Sequence, residues 1–349
     1  MKSAQLLVVA ALAACAALAL STAATAQSDD EKVVLTVGLT QDLDTPNVTA
    51  GELVSSYELY NLQYASPTDL AAADFATTPG LAESWEASND GKTYTYTLRD
   101  GLQWSDDTPL TAEDIAYTIN RSRDEEWLNY SSTVANLSAE APDEKTLVVT
   151  SKVNDPRLPS LSLYVVPKHI WEKVPADDVG TYPALDGVGS GPFTLSEWKK
   201  GQFWRMEANP NFWRGQVAID EVVFRVFRNA DAMVAALRSG ELDAAPNVPA
   251  SSFPDLETEE GIVAVAGEQG GFDYLVLNSY DGKPPRNEEA FDAPHPALTD
   301  PVFRQAIAHA IDKETLVERV LSGLGTPGTA MSPSANPAWI PEIAPEDVY

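Results

Sequence analysis

Short β-branched runs alternate with helical segments along most of this chain, and this alternation limits the fold more than any other feature. The run at 33–39 is too short and too rich in β-branched residues for a helix, so it predicts a buried strand. Thr111 stands before Glu113 and Asp114 with the spacing of a capping box, which predicts a helix over 112–123. Strands that alternate with helices favour an α/β fold built in layers.

The remaining elements are predicted from the same periodicities. Further strands are predicted at 93–99, 145–151, 193–198, 203–207, 221–228, 241–245, 262–266 and 272–278. Further helices are predicted at 51–62, 230–239, 300–311 and 313–322. Asp312 is expected to cap the last helix and Gly323 to end it.

A glycine-rich segment occupies residues 187–192, directly before a predicted strand. It differs from the G-x-S-x-G nucleophile elbow because position 188 is valine. It also differs from a dinucleotide-binding fingerprint because proline and then a strand follow it. The segment therefore predicts a tight turn whose glycines adopt unusual φ angles.

The first 26 residues, 1–26, have the form of a signal peptide. One lysine precedes an apolar run, and the small residues that follow end in an A-x-A site, which predicts cleavage before Gln27. The mature protein is therefore expected in the periplasm or at the cell surface. Cys15 follows Leu-Ala-Ala as in a lipobox, but the residues after it stay apolar, which favours a place in the signal core over lipidation.

The charge and the side-chain inventory weigh against several classes of function. The chain has 52 Asp and Glu against 23 Lys and Arg, a net charge of −29, so it would repel nucleic acid and anionic lipid. Cys15 is the only cysteine, and no two of the three histidines are spaced as metal ligands, so we predict no disulfide, no metal and no cofactor. A carboxylate pair for glycoside hydrolysis stays open, because proximity in sequence selects none among so many acids.

Three Asn-x-Ser/Thr sequons occur, at Asn47, Asn129 and Asn136. Motifs of three residues arise by chance, and these matter only in a source that glycosylates them. They therefore assign no function by themselves.

Distinctive segments follow one another over nearly the whole mature chain. They are Pro79 to Trp85, Asp90 to Asp106, Leu110 to Ile115, Gly189 to Phe193, Asn209 to Trp213, Ala236 to Asp243, Asp300 to Ile307 and Ala310 to Lys313. In this order they resemble the family 5 extracellular solute-binding proteins of ABC importers, which include oligopeptide-, dipeptide- and nickel-binding proteins. Each segment alone is weak evidence, but the ordered set is specific.

The resemblance implies an α/β fold of the two-lobed clamp type, a type II periplasmic binding protein with an extra subdomain in its first lobe. Lobe I would comprise 30–50 and 187–271, and the inserted subdomain 51–186. Lobe II would begin near 272, in a strand that forms the first hinge crossing. Members of the family are longer than this chain, so 272–349 is expected to be an incomplete second lobe of a fragment or truncated product.

The same resemblance implies a binding protein and not an enzyme. It would act as a monomer, capture a peptide or a related small solute between its lobes, and deliver it unchanged to the permease subunits of an ABC importer. The expected ligand contacts are Asn47, Glu52 and Ser55 on the first-lobe rim, Trp127 after the capped helix, and Gly271, Phe272 and Asn278 at the crossing.

Two alternatives stay open. The ligand could be a nickel or other metal chelate, an oligosaccharide or an opine, because members of the family share scaffold segments and differ in pocket lining. The protein could instead be a secreted hydrolase that uses paired carboxylates. Saturable binding of an unmodified ligand would favour the clamp, and turnover without a stable complex would favour the hydrolase.

Overall fold

The computed structural model describes residues 32–71, 76–88, 90–267, 273–279 and 295–328. The chain divides into two compact units, the first running to Asn247 and the second beginning at Val248. The lobe and subdomain boundaries expected from the resemblance stay predictions.

Most regular structure of the described residues lies in the first unit. Its elements, in chain order, are β1 (Val34–Leu39), α1 (Val54–Gln63), β2 (Thr68–Leu70), β3 (Thr77–Pro79), β4 (Ala82–Ala87), β5 (Thr93–Leu98), α2 (Ala112–Asp124), α3 (Ser131–Val134), β6 (Leu137–Glu140), β7 (Thr146–Ser151), α4 (Lys168–Trp171), β8 (Phe193–Lys199), β9 (Phe203–Ala208), β10 (Glu221–Val226) and α5 (Ala230–Arg238). Short 3-10 helices lie at Leu158–Ser160 and Ala176–Thr181.

The first sheet has the strand order β1-β10-β9-β8. β1 pairs in parallel with β10, and the other pairs are antiparallel. Alternate residues of β10 face the core, where the ring of Phe224 stacks on Trp204 with centroids 3.7 Å apart. On the opposite face of β1, a Cβ at Gly38 would come within 2.8 Å of Met233 and 2.5 Å of Leu242, so the glycine allows α5 and the segment after it to lie close.

The second sheet is antiparallel, with the order β4-β5-β7-β6, and β2 and β3 form a separate pair. α2 begins at Thr111, whose side chain accepts a hydrogen bond from the Glu113 amide while Asp114 bonds back to the Thr111 amide, so the predicted capping box is confirmed. The helix buries Ile115 and Ile119 in the same hydrophobic core as the buried residues of β5 and β7.

Three loops of the first unit meet, and we call them together the three-loop junction. It consists of residues 101–110, 187–191 and 209–213. The Ser105 amide donates to the Gly189 carbonyl at 3.0 Å, and the Gly189 amide donates to the Ser105 hydroxyl at 3.2 Å. The Asn211 side chain donates to the Trp104 carbonyl at 2.9 Å. The junction therefore joins the loop before α2 to the loops on either side of the β8–β9 hairpin.

The glycines of the junction are required for two different reasons. Gly187 has a φ of +67°, as the predicted tight turn requires. Gly189 and Gly191 have no such φ, and they lie against the end of α1, where a Cβ would collide with the backbone oxygens of Gln63 and Leu62. For these two glycines the prediction of unusual φ angles is wrong, because the constraint is space and not backbone conformation.

The second unit contains helices α6 (Phe253–Glu257), α7 (Pro296–Thr299), α8 (Pro301–Ala310) and α9 (Lys313–Val320). Asp312 caps α9 by accepting a hydrogen bond from the Thr315 amide at 2.9 Å, and Gly323 follows with a φ of +80°, as predicted. Leu256 is buried, whereas no residue of α7, α8 or α9 is buried.

Most predicted helices and strands are confirmed to within three residues at their ends. The strands predicted at 241–245 and 262–266 are wrong, and no strand occurs in the described part of 272–278. Ala244 makes only an isolated parallel bridge to Val37. The segment at 241–245 contains no β-branched or aromatic residue. The segment at 262–266 has β-like composition, but a strand needs a neighbour to pair with, and composition does not supply one.

Candidate functional site

The carboxyl ends of two parallel strands define one edge of the first sheet. β1 and β10 run in parallel with Leu39 opposite Val226, so both strands end at the same edge. The bridge between Val37 and Ala244 adds a third segment that runs parallel to β1. Ligands of open α/β sheets bind outside the carboxyl ends of the strands, so this edge is the candidate site of the first unit.

We call residues 40–53, which follow β1 at this edge, the β1 loop. Asp42 joins this loop to the β8–β9 hairpin, because its carboxylate accepts hydrogen bonds from Trp198 Nε1 at 3.1 Å and from the Gly201 amide at 2.6 Å. The Ser55 hydroxyl donates to the Asp42 carbonyl at 2.7 Å. Ser55 is buried, so its predicted contact with a ligand stays a prediction.

Asp44 ties the β1 loop to the start of α1. Its carboxylate accepts hydrogen bonds from the Ser56 hydroxyl, from the Glu52 amide at 2.7 Å and from the Thr45 amide at 3.0 Å. Burial acts to raise the pKa of Asp44, but these hydrogen bonds outweigh it, so the pKa lies below its ordinary value. The charged form of Asp44 therefore stabilises the loop.

Asn47 is a fully buried residue of the β1 loop. Its amide donates to the carbonyls of Val179 at 2.7 Å and Tyr182 at 3.0 Å, and its side-chain oxygen accepts from the amide and hydroxyl of Thr49. These contacts occupy both ends of the side chain. The predicted contact of Asn47 with a ligand stays a prediction, and its observed contacts hold the loop.

Glu52 differs from the two aspartates of the β1 loop. Its side chain is exposed, and its carboxylate makes no ion pair or hydrogen bond with any residue that the structure describes. Asp42 and Asp44 already accept hydrogen bonds from the protein on both carboxylate oxygens. Glu52 is therefore the acid of this loop that is free to pair with a cationic group of a solute.

Trp127 follows α2, and only 3% of it is exposed. Its indole nitrogen donates to Glu125 Oε2 at 2.9 Å, and its ring lies 5.5 Å from that of Trp171. The next residue, Leu128, is 61% exposed. The structure therefore turns Leu128 outward and Trp127 inward, and the contact of Trp127 with a ligand stays a prediction.

Asn129 brings the segment after α2 to the β1 loop, and sequence reasoning missed this role. Its side-chain amide donates to the carbonyls of Val48 at 3.0 Å and Gly51 at 2.8 Å. Its sequon was visible in the sequence, but a sequon concerns glycosylation and not these contacts. Through Asn129 the structure places Trp127 in the same region as Asn47, Glu52 and Ser55.

A groove of about 400 Å³ opens beside the carboxyl end of β10. Arg205, Arg225, Phe203 and Phe227 are among the residues that line it. Gly201 also lines it and binds Asp42, so this groove adjoins the β1 loop. A second groove, of about 750 Å³, runs along α2 and contains none of the predicted ligand contacts.

The predicted contacts at the hinge crossing do not belong to the first unit. Asn278 belongs to the second unit and is exposed in a described segment, 273–279, that has no regular secondary structure. Gly271, Phe272 and Cys15 lie outside the described residues. The predictions for all four stay predictions.

The described ranges contain neither a metal-binding cluster nor a membrane-spanning helix. They contain no group of three or more His, Cys, Asp and Glu side chains placed to hold a metal ion. No helix within them combines the length and the apolar character needed to cross a bilayer.

Comparison with known proteins identifies relatives of one kind. The family model for bacterial extracellular solute-binding proteins, family 5, matches residues 76–349. The oligopeptide-binding protein AppA of Bacillus subtilis is 29% identical over 266 residues, which are 74% of this chain and 46% of AppA. The chain thus spans about half the length of the curated relatives that it matches.

Solved structures agree in fold. AppA from Bacillus subtilis in complex with a nonapeptide has a TM-score of 0.72 at 24% identity, covering 92% of this chain and 62% of that one. NikZ from Campylobacter jejuni in complex with Ni(L-His) has a TM-score of 0.71 at 22% identity, covering 86% of this chain and 58% of that one. AgaA from A. tumefaciens R10 in complex with agropinic acid has a TM-score of 0.72 at 23% identity, covering 90% of this chain and 60% of that one. Since these three ligands differ in chemistry, the shared fold does not select one.

Proposed function

Because this chain belongs to family 5 of the bacterial extracellular solute-binding proteins, we propose that it acts as the substrate-binding component of an ABC importer, capturing peptides and passing them to a membrane permease. The peptide as ligand is supported by AppA, which is named an oligopeptide-binding protein. The family consists of binding proteins, so we propose that this protein changes no bond in its ligand.

The observation that carries the proposal at the level of residues is the exposed carboxylate of Glu52 at the carboxyl edge of β1 and β10. A peptide offers an ammonium group at its amino terminus, and a charged hydrogen bond to a carboxylate is the stronger kind. Asn47 and Ser55 hold the β1 loop at this edge, and Asn129, two residues after Trp127, binds the same loop.

The place of action follows the family, whose members are extracellular. We propose that residues 1–26 direct export and that the protein works as a monomer in the periplasm or at the cell surface. Cleavage before Gln27 remains our preferred processing. Mass spectrometry of the mature amino terminus tests it, because a diacylated Cys15 would contradict it.

Titration calorimetry of the full-length protein with di- to pentapeptides tests the function. We expect saturable binding, and we expect mass spectrometry to recover the peptide unchanged. Glu52→Gln should weaken binding about tenfold, because a charged hydrogen bond is lost. Glu86→Gln, at an exposed position of β4, is the matched control and should bind as the wild type does.

Acetylation of the peptide's amino terminus sharpens the assignment of Glu52. The acetylated peptide should bind the wild type more weakly, and Glu52→Gln should add little further loss, because both changes remove one interaction. Two additive losses would show that Glu52 does not contact the amino group. Binding of no peptide by the wild type would reject the function itself.

A second ligand class is favoured by the similarity in fold to NikZ and AgaA. The same titration with nickel–histidine and with an opine tests this class. If either ligand gives a saturable heat of binding and peptides give none, the binding function stands and its ligand is not a peptide. Cleavage of an oligosaccharide would instead support the secreted hydrolase with paired carboxylates.

A further inference from the structure

We propose that Asn129 is a positioning residue for the ligand edge, because its side-chain amide fixes the β1 loop that carries Glu52. The consequence for binding rests on the proposed function. The consequence for the loop rests on the hydrogen bonds alone and is tested separately from it.

The amide of Asn129 uses both of its hydrogens on the β1 loop. Nδ2 donates to the Val48 carbonyl at 3.0 Å and to the Gly51 carbonyl at 2.8 Å. Gly51 directly precedes Glu52, so this clamp acts on the peptide unit next to the proposed ligand contact. Without the amide, two carbonyls of a largely buried segment would lose their partner.

The base of this clamp is itself rigid. Trp127, two residues before Asn129, packs its ring 5.5 Å from that of Trp171. Its indole nitrogen donates to Glu125, whose other carboxylate oxygen pairs with Arg121 at 2.8 Å. Asn129 therefore extends from a segment whose position is fixed by buried aromatic packing.

A second amide ties the loop to the same aromatic cluster. Asn47 donates to the carbonyl of Tyr182 at 3.0 Å, and the ring of Tyr182 lies 5.3 Å from that of Trp171. Gly51 also packs against Tyr60, where a Cβ would come within 2.9 Å of the phenol ring carbon that bears the hydroxyl. The β1 loop is thus held at Asn47 and at Gly51. The peptide unit between Gly51 and Glu52 has a partner on each side, because its carbonyl accepts from Asn129 and its amide donates to Asp44.

Hydrogen exchange of the full-length protein tests the clamp without any ligand. The amides of Ala50 and Gly51, which donate to the Asn47 carbonyl, should exchange at least about tenfold faster in Asn129→Ala. Exchange in β5 and β7 should not change. Asn136→Ala removes the same side chain at an exposed position and should exchange as the wild type does. The proposal would be overturned if exchange in the β1 loop did not change, or if exchange in β5 and β7 became faster by the same factor as exchange in the loop.

Calorimetry with the free tripeptide Ala-Ala-Ala tests the consequence for binding. At a temperature where the variant is fully folded, a residue that only stabilises the fold leaves Kd unchanged. We expect Asn129→Ala to raise Kd at least about fivefold, since it releases the backbone beside Glu52. Faster exchange in the β1 loop together with an unchanged Kd would overturn the positioning role.

Two further results complete the design. If Asn129→Ala does not fold, Asn129→Leu replaces it, because its uncharged side chain keeps about the same size and shape and donates to neither carbonyl. If the wild type binds no peptide while exchange rises only in the loop, the proposed function fails and the clamp is supported.

Discussion

The three-loop junction and the β1 loop are both made of irregular backbone that side-chain hydrogen bonds help to hold, but the junction has glycines packed against helix backbone, which the β1 loop lacks. In the junction, Gly189 and Gly191 lie so close to the end of α1 that no side chain fits. In the β1 loop, the side chains of Asp42, Asp44 and Asn47 supply the hydrogen bonds. A site that admits only glycine constrains the sequence, whereas a loop held by polar side chains can be rebuilt with other donors and acceptors.

This difference explains which parts of the chain carry the resemblance to the family. Its segments include Gly189 to Phe193 and Asn209 to Trp213, which belong to the junction or adjoin it. None of its segments includes the β1 loop. The resemblance therefore identifies the scaffold, and none of the segments that carry it covers the ligand edge. The predictions that follow test whether the two loops really differ in this way.

The largest effect is expected at the junction. In Gly191→Ala the new Cβ would collide with the backbone oxygen of Leu62, which cannot move without displacing the end of α1. We expect the free energy of unfolding in urea to fall by about 3 kcal/mol or more. Gly180→Ala is the control, because nothing lies within 4 Å of its Cβ, and it should change stability by less than about 1 kcal/mol. Equal stability of the two variants would show that the junction is not tightly packed.

Asn47→Ala should have a smaller but still large effect. It removes the donors to the carbonyls of Val179 and Tyr182 in a buried place, which should cost about 2–3 kcal/mol. Asn136→Ala, at an exposed position, should cost less than about 0.5 kcal/mol in the same urea titration. If both variants unfold alike, polar side chains do not hold the β1 loop and the contrast with the junction fails.

The sequence predicted the elements in which one periodicity runs from end to end. The alternation in β5 and the capping box of α2 are local signals, and both are confirmed. The segment at 262–266 is also rich in β-branched residues but is not a strand, because strand formation depends on pairing that local sequence does not encode.

The candidate site was less predictable, because burial and orientation are set by distant residues. Trp127 faces inward because Trp171, far along the chain, packs against it. Asn129 is a positioning residue in our proposal only because the β1 loop, about 80 residues earlier, presents two carbonyls to it. Neither contact leaves a pattern in one sequence, whereas the exposure of Glu52 agrees with its charge.

A smaller, pH-dependent effect is expected at Asp44. Its pKa is lowered in the folded state, so its stabilisation is complete above the unfolded value near 3.8 and is lost as pH falls through the folded pKa. Asp44→Asn should cost about 1 kcal/mol at pH 7, allowing for partial exposure. Urea titrations at pH 7, 5 and 3 should show the difference from wild type shrinking below about pH 4. A constant difference would contradict a role for the charge.

The smallest effect on stability is expected where the proposed effect on binding is largest. The Glu52 carboxylate is exposed and has no partner in the described part of the chain, so Glu52→Gln should change the free energy of unfolding by less than about 0.5 kcal/mol. Urea titration without ligand measures this change, with Glu86→Gln as the control. A loss above about 1 kcal/mol would mean that the carboxylate holds the loop, as that of Asp44 does. The ligand edge would then have no free acid in the β1 loop, and the amino group of a peptide would need a partner elsewhere.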